Sequence, residues 1–303
     1  MNSLGLRELR HVSLRCSSLD EAEDFYTNAW GLELVERSID RLWLRGTGPE
    51  HHILQFVESD NLGLEHVAFA LATPEDVDSA AKHLVNMGVD LISEPHRSDD
   101  LGGGYRLTFN DPEGRCIMLA ALLEAVAPRS EISNQPIQLS HVVFNTVDIN
   151  AAVEFWTQVV GLRVSDWSEN QMAFLRCNNR HHSVAFNQAE WTSVNHIAYD
   201  FRDTDAFFQR LGVLRHLGFV PIWGPGRHGP GNNAFAYFGD PVGYVPEVTT
   251  GLIDVEESNW VPRVWQRVPE QSDLWGTAGP PSDDARARMA GSPEPTVRSA
   301  GGT

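Results

Sequence analysis

Cysteine is scarce in this chain: Cys16, Cys116 and Cys177 are the only three in 303 residues, widely spaced and outside any paired motif. An odd, scattered set excludes a disulfide framework and fits a reducing compartment, so these residues are read as packing. Positive charge is also short. Lys and Arg number 23 against 41 Asp and Glu, a formal net charge of −18, and such a surface repels phosphate backbones and anionic lipid heads. Nucleic acid and membrane partners are therefore not expected. No run approaches the ~18 consecutive apolar residues of a membrane span, and the start MNSLGLRELRHVSL lacks the apolar core of a signal peptide. A cytoplasmic location is expected. With 42% hydrophobic residues, the length suffices for a sizeable buried core in two modest domains.

What the chain has is an internal repeat. LRHVSLRCSSLDEAEDFYTNAWGLELVE from Leu9 aligns without gaps on LSHVVFNTVDINAAVEFWTQVVGLRVSD from Leu139, matching His11 with His141, Phe25 with Phe155 and Gly31 with Gly161. The same offset of 130 positions relates His66 to His196, and it slips by one between DPEG and DPVG. Two homologous halves follow, joined by the polar linker APRSEISNQPIQ.

Each half repeats once more within itself. Ser18 and Glu21 have capping-box spacing, Ala22, Phe25, Tyr26 and Trp30 make an apolar stripe, and Gly31 can end the helix. Thr73 and Pro74 open a second helix that runs through Val77, Ala81, Leu84 and Val85 to Gly88. Strand-length apolar runs such as HHILQFV and MAFLRC come after the helices. The unit is β-α-β-β-β, four times over. The fold class is α+β, with two domains of paired βαβββ modules at residues 6–123 and 137–253. Trp260, Trp265 and Trp275 suggest an ordered strap over 254–278, and the Pro, Gly, Ser and Ala content of 279–303 predicts a disordered tail.

Three residues in the second half carry chemistry together. His141 and His196 open equivalent strands of two repeat units, and Glu247 lies in the last strand of the fourth unit, between apolar neighbours Val245 and Val248. A histidine opening a strand is by itself more often a hydrogen-bonded rim residue than a ligand. The coincidence of all three reverses that reading. Two neutral imidazoles and one carboxylate form a facial triad that partly neutralises a divalent ion and leaves adjacent positions open, and a cation also removes the cost of burying Glu247.

On these residues the chain resembles the type I extradiol catecholic dioxygenases of the vicinal oxygen chelate superfamily, over roughly residues 6–278. The resemblance implies metal ligation by His141, His196 and Glu247 and ring cleavage of a catecholic substrate with O2. It implies that His182 in RHHSVAF is the acid–base histidine, Tyr237 in NNAFAYFGDP the active-site tyrosine, and His228 in GPGRHGPGNN a histidine near the substrate. Fe(II) is the implied metal, and Mn(II) accepts the same ligands. A homo-oligomer is the family habit. Some members carry asparagine two residues after the first histidine ligand, where this chain has Val143, which implies a more apolar pocket. Phe186, Trp191 and Phe235 would suit a substituted or bicyclic catechol.

The first half is an internal control. His11, His66 and His52 persist, but Met118 stands at the place of Glu247 and Thr108 at that of Tyr237. A thioether is a poor ligand for a hard ferrous ion, so this half is expected to be metal-free. His181, next to His182, is expected to be a solvated flank. Two rival functions are a glyoxalase-like metal-dependent isomerase or lyase, whose sites usually use more carboxylate, and a non-catalytic small-molecule-binding protein.

Overall fold

The computed structural model describes residues 4–294. Four βαβββ units follow one another. The first contains β1 (Glu8–Cys16), α1 (Leu19–Asp24), β2 (Glu33–Arg37), β3 (Arg41–Arg45) and β4 (Leu54–Glu58). The second contains β5 (Gly63–Ala70), α2 (Pro74–Asn86), β6 (Leu91–Arg97), β7 (Gly103–Asn110) and β8 (Cys116–Leu123). The third runs through β9 (Gln138–Thr146), α3 (Ile149–Gln158), β10 (Arg163–Ser168), β11 (Met172–Arg176) and β12 (Val184–Gln188). The fourth runs through β13 (Ser193–Asp200), α4 (Thr204–His216), β14 (Trp223–Arg227), β15 (Ala234–Tyr237) and β16 (Pro246–Thr250). Three short elements complete the chain: β17 (Arg263–Trp265), α5 (Pro269–Ser272) and α6 (Asp283–Ala290).

Local chemistry sets the helix starts. Thr73 closes a full capping box with Asp76, with proline in the first turn of α2, whereas Ser18 only accepts from the Glu21 amide. The apolar stripe of the first helix continues past Asp24 as a π-helical turn over Phe25–Ala29, in which the Trp30 amide reaches back to Phe25. Gly31 and Gly161 follow their helices at φ +88°, a left-handed backbone that glycine adopts without strain.

Units pair through their first strands. β1 lies antiparallel to β5, giving an eight-stranded sheet in the order β2-β3-β4-β1-β5-β8-β7-β6. β9 lies antiparallel to β13 in a nine-stranded sheet, β14-β15-β16-β13-β9-β12-β11-β10-β17. One core joins the two halves: Trp30 packs edge-on to Tyr199 of β13, and Trp156 of α3 packs against Phe69 of β5. Strand alternation then decides what faces the opposite side. In β9, Val142 and Phe144 point into this shared core, so His141 and Val143 point away from it.

The segment after β16 returns to the second sheet, with β17 pairing parallel to β10 at its edge. The expectation of a structureless tail from residue 279 does not hold for residues 279–294. Ser282 caps α6, and the far end of that helix is held by Asn145 and Ser193, which donate to its last carbonyls. The remainder of that expectation, residues 295–303, lies outside the described residues.

Candidate metal centre and active site

Three adjacent central strands carry the triad. Ala198 of β13 pairs with His141 on one side and Glu247 on the other, while His196 stands two residues before it, directly after a β-bulge that follows Val194. Their ligand atoms lie within 4.8 Å of one another, and among the described residues this is the one such group of three. All three are buried, Glu247 completely. His141 Nε2 and His196 Nε2 both stand 3.3 Å from the same oxygen, Glu247 Oε2. Neither contact has hydrogen-bond geometry, so Oε2 is a buried carboxylate oxygen without a donor. A divalent cation among these atoms satisfies that oxygen, and the donor set suits Fe(II) or Mn(II).

The outer nitrogens are held as ligand histidines require. His196 Nδ1 donates to Asn195 Oδ1 at 2.7 Å, which leaves Nε2 with its lone pair aimed inward, and His141 Nδ1 meets Ser140 Oγ at 3.1 Å. Asn195 is positioned in turn by Asn145 Oδ1. Burial raises the Glu247 carboxyl, but the adjacent His141 and His196 outweigh it and hold the group well below the usual carboxylate range. Burial pushes His196 down, partly offset by Glu247. Both directions favour the charge states of metal ligands.

His182 and Tyr237 flank the triad on opposite sides. The His182 ring lies 4.2 Å from that of His141, and burial pushes it well below the ordinary histidine range, so it rests neutral. Tyr237 stands across from Glu247 in β15, with its ring 4.9 Å from His196. Burial and the Glu247 charge push its hydroxyl well up, so it keeps its proton. His228, directly after β14, meets that hydroxyl through Nε2 at 2.9 Å and stacks on Phe235 at 3.9 Å. Burial holds His228 at about 4. The structure thus brings together all six residues singled out from the sequence.

Other expectations need correction. His181 is not a solvated flank: it is fully buried, with Asp166 and His182 on its two ring nitrogens. Phe186 faces the shared core beside Trp156, and Trp191 donates to the α6 carbonyls, so of the three aromatics only Phe235 borders the site. Asn195 and Asp166 were missed; a polar residue beside a ligand was the available sign for Asn195, and none pointed to Asp166.

In the N-terminal sheet the equivalent place opens on a cavity of about 250 Å³ lined by His11, His52, His66, Thr108 and Met118. There His11 Nε2 and His66 Nε2 hydrogen-bond each other at 2.8 Å, with no carboxylate between them.

The repeat, the paired units and the triad define a vicinal oxygen chelate fold. The chain belongs to the Glyoxalase/Bleomycin resistance protein/Dioxygenase superfamily, whose sequence profile matches residues 8–119 and 138–248. Among its relatives, metapyrocatechase 2 of Cupriavidus necator is 27% identical over 278 residues, covering 82% of both chains. A manganese-dependent 2,3-dihydroxybiphenyl 1,2-dioxygenase of Geobacillus genomosp. 3 is 26% identical, covering 87% of this chain and 91% of its own. Among solved structures, a Mn(II)-bound glyoxalase from Novosphingobium aromaticivorans superposes with a TM-score of 0.89 at 31% identity over 96% of each chain. A variant of homoprotocatechuate 2,3-dioxygenase from B. fuscum superposes at 0.82 and 21% identity over 93% and 81%, a likeness of fold.

Proposed function

We propose that this chain is an extradiol dioxygenase that opens a catecholic ring beside its diol and leaves both atoms of O2 in the product, using Fe(II) or Mn(II). The reading is carried by one observation: a one-carboxylate triad flanked by the buried His182 imidazole on one side and the buried Tyr237 hydroxyl on the other. His141, His196 and Glu247 hold the cation. Such a cation would supply Lewis-acid and redox chemistry for a diol and dioxygen.

The chain's own residues handle the protons. Neutral His182 takes a proton from the diol as it binds and returns it to oxygen as the ring opens. Tyr237, still protonated, donates a hydrogen bond to the diol oxygen on its side and draws the ring towards a ketone-like form. His228 fixes the direction of that hydroxyl and, with Phe235, walls this side of the site. The apolar side chains of Val143 and Phe174 line the sheet face beside His182 and favour an aromatic ring there.

A second reading, a metal-dependent glyoxalase, is favoured by the 31% identity to the Mn(II)-bound relative. The single carboxylate in the triad argues against it. The deciding experiment incubates anaerobically prepared protein, loaded with Fe(II) or Mn(II), with a catechol panel in air. A yellow ring-opened product with oxygen uptake is expected. Colourless mixtures together with glutathione-dependent turnover of an α-ketoaldehyde would replace the proposal with the second reading.

A further inference from the structure

His182 does not stand alone against the triad. His181 Nδ1 lies 2.9 Å from His182 Nδ1, and His181 Nε2 lies 3.1 Å from Asp166 Oδ2. Asp166, His181 and His182 are respectively 1%, 0% and 3% exposed, so no bulk water competes for these contacts. Among the described residues, the other hydrogen-bond partners of the Asp166 carboxylate are donors: the Arg263 amide at 2.8 Å on Oδ1 and Trp265 Nε1 at 2.7 Å on Oδ2. The carboxylate therefore acts purely as an acceptor.

That fixes the protons along the chain of contacts. A carboxylate acceptor places a His181 proton on Nε2, and with that single proton the ring offers only a lone pair at Nδ1. The Nδ1-to-Nδ1 contact must be supplied by a proton from His182. In that arrangement His182 carries its proton on Nδ1, and its Nε2 is bare.

We propose that Asp166 and His181 are positioning residues that lock His182 in the Nδ1–H tautomer, leaving Nε2 as the nitrogen that accepts the substrate proton, and that β17 completes this lock. The role in turnover rests on the dioxygenase reading; the tautomer does not. The strap contributes more than the two donors from residues 263 and 265. Trp260 donates to the Ser165 carbonyl and sets its ring edge-on to His181 at 5.5 Å. The N-terminal half supplies the contrast. His51 and His52 repeat the Nδ1-to-Nδ1 contact at 3.1 Å, but Glu36, at the place of Asp166, is exposed, and His51 faces Glu124 at 3.9 Å. The lock is complete only where the triad has its carboxylate.

The test uses the full chain, labelled with 15N-histidine and free of metal and substrate. Nitrogen shifts separate protonated from bare ring nitrogens, and the His182 signals are assigned by their loss in His182→Gln. Wild type should show Nδ1–H with bare Nε2 at His182, and His181→Phe, which removes the acceptor, should lose that preference. His181→Asn keeps an acceptor oxygen near the Nδ1 position and should restore it. In the metal-loaded protein, kcat should fall about 100-fold in His181→Phe with KM little changed, and His181→Asn should recover most of the loss. A proton on His182 Nε2 in the wild type, or full kcat in His181→Phe, would overturn the proposal. If no catechol is turned over, the dioxygenase reading fails while the nitrogen shifts still decide the tautomer.

Discussion

Glu247 and Met118 occupy the same register position in the two sheets: Glu247 lies between Ala198 and Tyr237, and Met118 between Ala68 and Thr108. One exchange at this position changes the electrostatics of an otherwise duplicated histidine pair. With the carboxylate, two imidazoles converge on one oxygen; with the thioether, they bond to each other.

Replacing Glu247 with Ala should therefore abolish metal retention while the fold persists, because two imidazoles remain without the one anionic ligand of the set. Elemental analysis after dialysis, beside a thermal melt, checks both halves of this expectation. Retained metal at wild-type level would remove Glu247 from the ligand set.

Removal of the His182 imidazole should have the opposite profile. His182→Ala keeps all three ligands, so metal content should match wild type, while catechol turnover falls by about 100- to 10,000-fold for loss of an acid–base group. Steady-state kinetics paired with metal analysis distinguishes this from a loss of ligation.

The interface between the halves should make stability depend on pH. The Tyr26 hydroxyl donates to Asp240 Oδ2 at 2.8 Å, and the amides of Val242 and Tyr244 donate to Oδ1. Burial nonetheless pushes the Asp240 carboxyl up to about 7, above the ~4 of an unfolded aspartate. A raised carboxyl keeps its proton in the folded state after the unfolded chain has released it. Its contribution is thus fully present below the unfolded value and is lost as pH rises towards 7. The melting temperature should fall across that window more steeply in wild type than in Asp240→Asn. Parallel curves for the two would refute the assignment.

The C-terminal helix should matter to metal affinity. Asn145 donates through Nδ2 to the carbonyls of Met289 and Ala290, and its Oδ1 accepts from Asn195, which orients His196. A chain ending at Ala278 should bind the cation about tenfold more weakly, the usual cost of losing support behind a ligand. Competition with a coloured chelator measures this. Unchanged affinity would show that Asn195 orients His196 without that support.

Much of this was legible in the sequence because duplication converts equal spacing into equal position. His141 and His196 could be paired because His11 and His66 repeat them, and Glu247 stood out as a charge between two valines. His181 was misread for a physical reason. Neighbours on a strand usually point to opposite faces, so a histidine beside an inward one reads as outward. Here the pair precedes β12, the His181 amide bonds to Ile253, and Trp260 covers the ring from far along the chain. The helix Asp283–Ala290 has a start signal in Ser282 and its acidic first turn, but its docking rests on its own last backbone carbonyls, which no side-chain pattern advertises.

The groups that anchor Asp166 and Asn145 are donors at residues 263 and 265 and acceptors at 289 and 290, all beyond the matched superfamily region that ends at 248. Trimming the chain to its recurring modules, as protein engineers do when grafting domains, would keep the triad, His182 and Tyr237 yet cut away their scaffolding. A minimal version of this site must keep both halves, which share one core, and run to about residue 291, with the terminal extension treated as part of the site.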